Sequence, residues 1–192
     1  RFACEYCYAR AFAPTAEKRE TWGEWASAKR NAAILIAKAC RDGTLLAGDA
    51  VYMSSATDPY QPAERQLRIT RSILEAILAS GVQPRLTVQT RSPIAVRDID
   101  LFQQFEHIRV NFTITTDSER VRLRYEPSAP AIHARLRAAR ALVEAGVPIG
   151  ISVSPMLPIE HVATFAEAIA SLDAAEYVSQ YMAPPGPTFA AG

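Results

Sequence analysis

Five strand-like runs alternate along this chain with segments of helical period, at about 30 residues per unit. That alternation leaves few folds open. Consecutive strands joined through helices run parallel, because a helix returns the chain to the same end of the sheet. The strands read at 49–55, 85–90, 107–116, 148–155 and 176–182. Helices are expected at 17–41, 64–79, 126–146 and 160–173, with a loop and short helix at 91–105 and a loop at 183–192. Gly43, Gly81 and Gly146 close the first three helices.

The third strand, "HIRVNFTITT", sharpens the choice. Ile108, Val110, Phe112 and Ile114 fall on one face; Arg109, Asn111, Thr113 and Thr115 fall on the other. A parallel sheet packed on both faces has no room for such a polar face. Curling the sheet removes the conflict: helices cover the outside and the polar face lines a lumen. The expected fold is α/β, a partial (β/α)6 TIM-like barrel of parallel strands with its first strand missing or incomplete. Residues 1–192 form one domain, incomplete at both ends. An open doubly wound sheet is the alternative.

Chemistry in such folds gathers where strands end. The polar clusters "SSATDPY", "TRS", "TITTD" and "SPMLP" follow four successive strands, which points to one shared site. Formal net charge is +1, so bulk charge asks for neither nucleic acid nor membrane. No apolar run reaches the roughly 18 residues of a membrane span, and no leader is visible. Three cysteines are too few and too crowded for a disulfide framework, so a reducing compartment, the cytoplasm, is expected.

Two of those cysteines, Cys4 and Cys7, open the chain in "CEYCYAR". Half a zinc site looks like this, but no second Cys/His pair follows, and His107, His133 and His161 are scattered. A thiol-redox pair is a second reading, although its motif sits between a strand and a helix. An iron–sulfur motif without its front end fits best. The segment resembles the last two cysteines of the radical S-adenosylmethionine (radical SAM) motif C-x3-C-x2-C, with aromatic Tyr6 before the final cysteine. The motif's first cysteine falls immediately before Arg1. "SSATDPYQPAE", "RDIDL", "YEPSAP" and "EAGVPIGISVSPMLP" follow in the order and spacing of the branch related to spore photoproduct lyase, also called DNA repair photolyase-like.

That resemblance implies a radical SAM enzyme, lyase-like, that binds a 4Fe-4S cluster and S-adenosylmethionine (SAM). It implies generation of a 5′-deoxyadenosyl radical that abstracts a substrate hydrogen. Cys4 and Cys7 are the implied cluster ligands. Tyr6 falls near the adenine. Ser54, Ser55, Thr57 and Asp58 occupy the place of the Gly-Gly-Glu stretch that meets SAM's amino group in many members. Arg91 falls near SAM's carboxylate, and Thr113 and Thr115 near its ribose and methionine. Glu126 and Arg135 complete the set. Each has an ordinary structural reading as well: a core aromatic for Tyr6, a turn for Asp58, a surface charge for Arg91, a helix boundary for Glu126. Arg97, Asp98 and Asp100 are read as a local ion pair and turn.

An external electron donor of the flavodoxin or ferredoxin type is implied too. Kinship alone admits nucleic acid as substrate, with Arg135, Arg137 and Arg140 as the cations nearest to a phosphate contact and a solvated helix face as their ordinary reading. Ser55 stands where the spore enzyme has its hydrogen-donating cysteine. A serine O–H is too strong a bond for that step, so the same repair route is not expected. Two other classes remain open at this point: a non-catalytic barrel fragment that binds a ligand or partner, and a thiol-redox or zinc protein.

Overall fold

The computed structural model describes residues 2–54 and 56–181. Ser55, the end of the last expected strand at Met182 and the expected loop at 183–192 lie outside the described residues.

Strands β1 (Ala50–Met53), β2 (Arg85–Thr90), β3 (Ile108–Thr113), β4 (Ile149–Met156) and β5 (Glu176–Tyr181) form one sheet in the order β1-β2-β3-β4-β5. Every neighbouring pair is parallel. A doubly wound sheet reverses its strand order part-way across; this one never does. Successive right-handed crossovers therefore place their helices on one face. The result is the partial TIM-like barrel expected from the alternation.

Helix α4 (Ile69–Ser80) follows β1, and α7 (Ile132–Glu144) follows β3. Leu74 and Ile77 of α4, and Ala139 and Leu142 of α7, meet Leu86, Val88, Val110, Phe112, Ile149 and Ile151 in one buried core. These strand residues all belong to the outer face of the sheet. The register puts Gln89, Asn111, Gly150 and Glu176 in one row of the inner face, with Thr113 and Ser152 in the next. A side chain at Gly150 would put its Cβ 2.2 Å from Asn111 Oδ1, so glycine is needed for that close approach. The alternation read in β3 is thus an inside–outside alternation.

The helix expected over 17–41 is two helices, α1 (Ala16–Glu20) and α2 (Ala32–Arg41). Thr15 caps α1 by accepting from Lys18 N at 3.2 Å. Gly23 then takes φ +104°, which no helix continues. It packs against the cysteine loop: a Cβ there would lie 2.5 Å from the Cβ of Ala3.

The helix expected over 64–79 is also interrupted. Arg68, with φ +50°, separates α3 (Glu64–Leu67) from α4. The Glu64 carboxylate accepts from Ile69 N at 2.9 Å and Thr70 N at 3.0 Å, doing for α4 what an N-cap residue does. After the β2–β3 connection, which contains α5 (Ile99–Phe102), β3 leads into an unanticipated helix, α6 (Glu119–Tyr125). Ser118 caps α6 through Val121 N at 3.3 Å. The helix expected over 126–146 begins only at Ile132, because Pro127 and Pro130 hold the residues before them out of helical conformation. Glu126 instead ends α6. Helix α8 (Val162–Ala170) lies between β4 and β5 as expected.

Candidate functional site

The cysteine loop is anchored at the end of α6, where Glu5 N donates to Tyr125 O at 2.9 Å. Cys7 N donates to Cys4 O at 3.1 Å and closes a tight turn that carries both thiols. Phe2, Cys4 and Ala129 make a small buried cluster with Tyr6 and Cys7 packed on it. The loop therefore sits over the C-terminal ends of the central strands, one residue away from Glu126.

Arg91 follows the last residue of β2 and is central to what the loop meets. Its Nη1 donates to Cys4 Sγ at 3.0 Å, to Tyr6 Oη at 2.9 Å and to Glu126 Oε1 at 2.7 Å. Tyr6 Oη donates to the same carboxylate oxygen, and Thr115 Oγ1 does so at 3.0 Å. The other oxygen, Glu126 Oε2, pairs with Arg135 Nη2. Arg135 is fully buried; its Nε donates to Pro130 O at 2.9 Å and its Nη1 to Thr113 O at 3.2 Å. Buried charges persist only when paired and hydrogen-bonded in this way.

The charges follow from these neighbours. Burial pushes the Cys4 thiol up to about 11, against the pull of the Arg91 guanidinium towards thiolate. Burial likewise pushes Tyr6 well up, so its hydroxyl stays neutral. Burial also works against ionisation of Glu126, but the guanidiniums of Arg91 and Arg135 outweigh it and hold its carboxyl below the usual range. Two cations, one carboxylate, a phenol and a thiol thus meet at one point, with a net positive character that suits an anionic group.

Of the residues singled out in the sequence, Cys4, Tyr6, Arg91, Thr115, Glu126 and Arg135 come together here, and Cys7 shares the Cys4 turn. Thr113 lies alongside, its Oγ1 accepting from Gln89 Nε2 at 2.6 Å. Ser54 follows β1 with φ +122°, a conformation that glycine adopts freely and serine rarely. Thr57 is exposed on the loop that follows. Among the described residues no hydrogen bond joins Ser54 or Thr57 to the Arg91 cluster.

Both oxygens of the Asp58 carboxylate are engaged by the protein. Its Oδ1 accepts from Tyr60 N at 2.8 Å and Thr90 Oγ1 at 2.7 Å; its Oδ2 accepts from Arg91 N at 2.9 Å. Arg135 is closed to any phosphate, whereas Arg137 and Arg140 are exposed. Asp98 pairs with Arg97 at 2.8 Å as the local reading expects, and Arg71 of α4 joins that pair at 3.0 Å. Sequence reasoning missed Gln89 and Thr90. The alternation of "RLTVQT" places Gln89 on the lumen face, but nothing in it pairs Thr90 with Asp58.

A cavity of about 760 Å³ opens at the opposite, N-terminal ends of the strands, beside Arg85, His107 and Pro148. It lies away from the thiols and the ion cluster. Among the described residues no three Cys, His, Asp or Glu side chains converge as a metal set. The two thiols of the Cys4–Cys7 turn are the soft donors present, and their type fits an iron–sulfur cluster better than a hard cation.

A parallel barrel-type sheet with a two-thiol loop over its strand ends defines the class. Residues 1–172 match the Radical SAM superfamily, and the chain belongs to it. An uncharacterized protein of Methanocaldococcus jannaschii is 34% identical over 158 residues, which is 82% of this chain and 57% of that protein. Spore photoproduct lyase complexed with dinucleoside spore photoproduct matches with a TM-score of 0.64 at 19% identity, over 92% of this chain and 52% of that one. SuiB of Streptococcus suis bound to S-adenosylmethionine matches with a TM-score of 0.56 at 14% identity, over 93% and 36%. At those identities the structural likeness speaks for the fold. The chain spans about half, or less, of the length of these proteins. Among the described residues no helix is long and apolar enough to cross a membrane.

Proposed function

We propose that this chain is the catalytic core of a radical SAM enzyme, with Cys4 and Cys7 as two thiolate ligands of a 4Fe-4S cluster. The supporting observation is that Arg91 Nη1 touches Cys4 Sγ at 3.0 Å and Glu126 Oε1 at 2.7 Å, which joins the thiol loop to the ends of the sheet. The chemistry supplied when cluster and SAM are bound is one-electron cleavage of the sulfonium and hydrogen abstraction by the 5′-deoxyadenosyl radical.

The chain's own residues do the rest. Cys4 and Cys7 hold iron, and the Arg91 guanidinium favours the Cys4 thiolate that iron requires. Arg91 stays cationic at every working pH, because Glu126, Tyr6 and Cys4 outweigh its burial, and offers SAM's carboxylate a partner. Neutral Tyr6, packed on the cysteine loop, would serve the adenine. Thr113 and Thr115, whose hydroxyls bond Gln89 and Glu126, would line the side of ribose and methionine, and Ser54, Ser55 and Thr57 would serve the amino group. Glu126 and Arg135 fix Arg91 from behind.

The electron comes from an external flavodoxin or ferredoxin type donor. Kinship with a lyase that was solved with a dinucleoside photoproduct makes nucleic acid the first substrate class to assay, and the lyase class the first reaction type.

Anaerobic reconstitution of the full-length protein with iron and sulfide tests this reading. Bound iron and sulfide, broad brown absorbance and dithionite-dependent release of 5′-deoxyadenosine from SAM are expected. Cys4→Ala and Cys7→Ala are expected to lose all three. Variants that keep wild-type iron and sulfide, or a wild-type protein that takes up zinc alone, overturn it.

A further inference from the structure

The segment "TDPYQPAE" sits where a cofactor-contacting stretch is expected, yet its carboxylate faces the protein. Both Asp58 oxygens are taken: Tyr60 N and Thr90 Oγ1 on Oδ1, Arg91 N on Oδ2. The loop around it is equally fixed. Thr70 Oγ1 donates to Pro59 O at 2.5 Å, and fully buried Tyr60 donates from its hydroxyl to Asp98 at 3.0 Å. Asp98 is itself gripped by Arg71 and Arg97. The β1 loop is therefore tied to the body of the protein, and among the described residues its hydrogen bond to the thiol site runs through the backbone of Arg91.

We propose that Asp58 is a positioning residue that acts through Arg91: its carboxylate holds the Arg91 backbone so that the guanidinium reaches Cys4, Tyr6 and Glu126. The inference rests on the radical SAM reading of the site for its consequence, but not for its geometry. Arg91 starts immediately beyond β2, where the sheet no longer fixes the chain. A shift of its amide by a fraction of an ångström is carried down a long side chain to three hydrogen bonds that must form together. Oδ1 of Asp58 carries two hydrogen bonds and Oδ2 carries that of Arg91 N, so the link from Asp58 to the thiol site runs through this one neighbour.

Asp58→Asn separates this role from simple folding. The amide oxygen takes the two-donor Oδ1 position and keeps Tyr60 N and Thr90 Oγ1. The amide NH2 then faces Arg91 N, donor against donor, and that one bond is lost. In the metal-free full-length protein, hydrogen exchange at the Arg91 amide is expected to accelerate in Asp58→Asn while the α4 amides stay protected. An Arg91 amide as protected as in wild type overturns the proposal.

In the reconstituted protein, SAM affinity is read from the change in the electron paramagnetic resonance signal of the reduced cluster. Asp58→Asn is expected to weaken it about 10-fold, Arg91→Ala about 10- to 100-fold, and the double variant no more than Arg91→Ala alone. Additive losses mean that Asp58 meets the ligand directly, and overturn the proposal. Should wild type bind no SAM, the radical SAM reading falls, while the exchange result still decides what Asp58 does for Arg91.

Discussion

Arg91 Nη1 ties together groups that lie 87, 85 and 35 positions away in the chain. Glu126 makes that possible by offering one oxygen to Arg91 and the other to fully buried Arg135. Glu126→Gln keeps the shape and removes the charge, leaving two guanidiniums without their shared counter-ion. Unfolding free energy is expected to fall by about 3–5 kcal/mol, read from urea midpoints. The same substitution removes a pH dependence. Glu126 has its folded pKa held below its ordinary 4.5, so its stabilisation is complete above about pH 4.5 and is lost as pH falls through the lower folded value. Acid titration of wild type therefore shows a fall in that window that is reduced in Glu126→Gln. An unchanged acid profile places the Glu126 charge outside the balance of stability. At this scale the residue types were legible, since Tyr6, Arg91, Glu126 and Arg135 were all singled out. Their arrangement was not: a carboxylate shared by two arginines is a long-range fact with no local signature in "RYEPSAP".

Between residues and the whole lie the helices and strands, where the sequence spoke unevenly. All five strands were legible, the third by its period-two alternation and the others as short apolar runs between helical segments. Helix ends were less so. "TWGEW" reads through as helix although Gly23 is a poor helix former, and the packing of Gly23 on Ala3 shows why the chain breaks there. Helix α6 hides in "SERVRLRY", a segment too short to show a full helical period; its Ser118 cap was the available signal. Glu64 was likewise read as an ordinary helix residue, although it is buried and caps the next helix across the kink at Arg68. Glu64→Ala is expected to lower stability by about 2 kcal/mol, the upper end for loss of a cap. Exchange protection at Ile69 and Thr70 should drop with it. Unchanged protection at these amides makes the carboxylate incidental to α4.

At the scale of the molecule, one sheet serves two environments. Phe112 is fully buried on the outer face among helix side chains, whereas Ser154 on the inner side makes one exposed hydrogen bond, to Gln180 at 3.1 Å. Phe112→Ala is expected to cost about 3–5 kcal/mol and Ser154→Ala to stay within about 0.5 kcal/mol, by thermal or urea unfolding. Comparable losses at both positions contradict the inside–outside reading of the sheet. On β3 a single step along the backbone moves from a helix-covered position to one on the inner face, where Asn111 crowds Gly150 and Thr113 meets Gln89. Descendants of such a chain can rewrite the exposed inner letters of β4 and β5, such as Ser154 and Gln180, while the helix-covered letters stay fixed. A change of inner lining therefore needs no unfolded ancestor on the way.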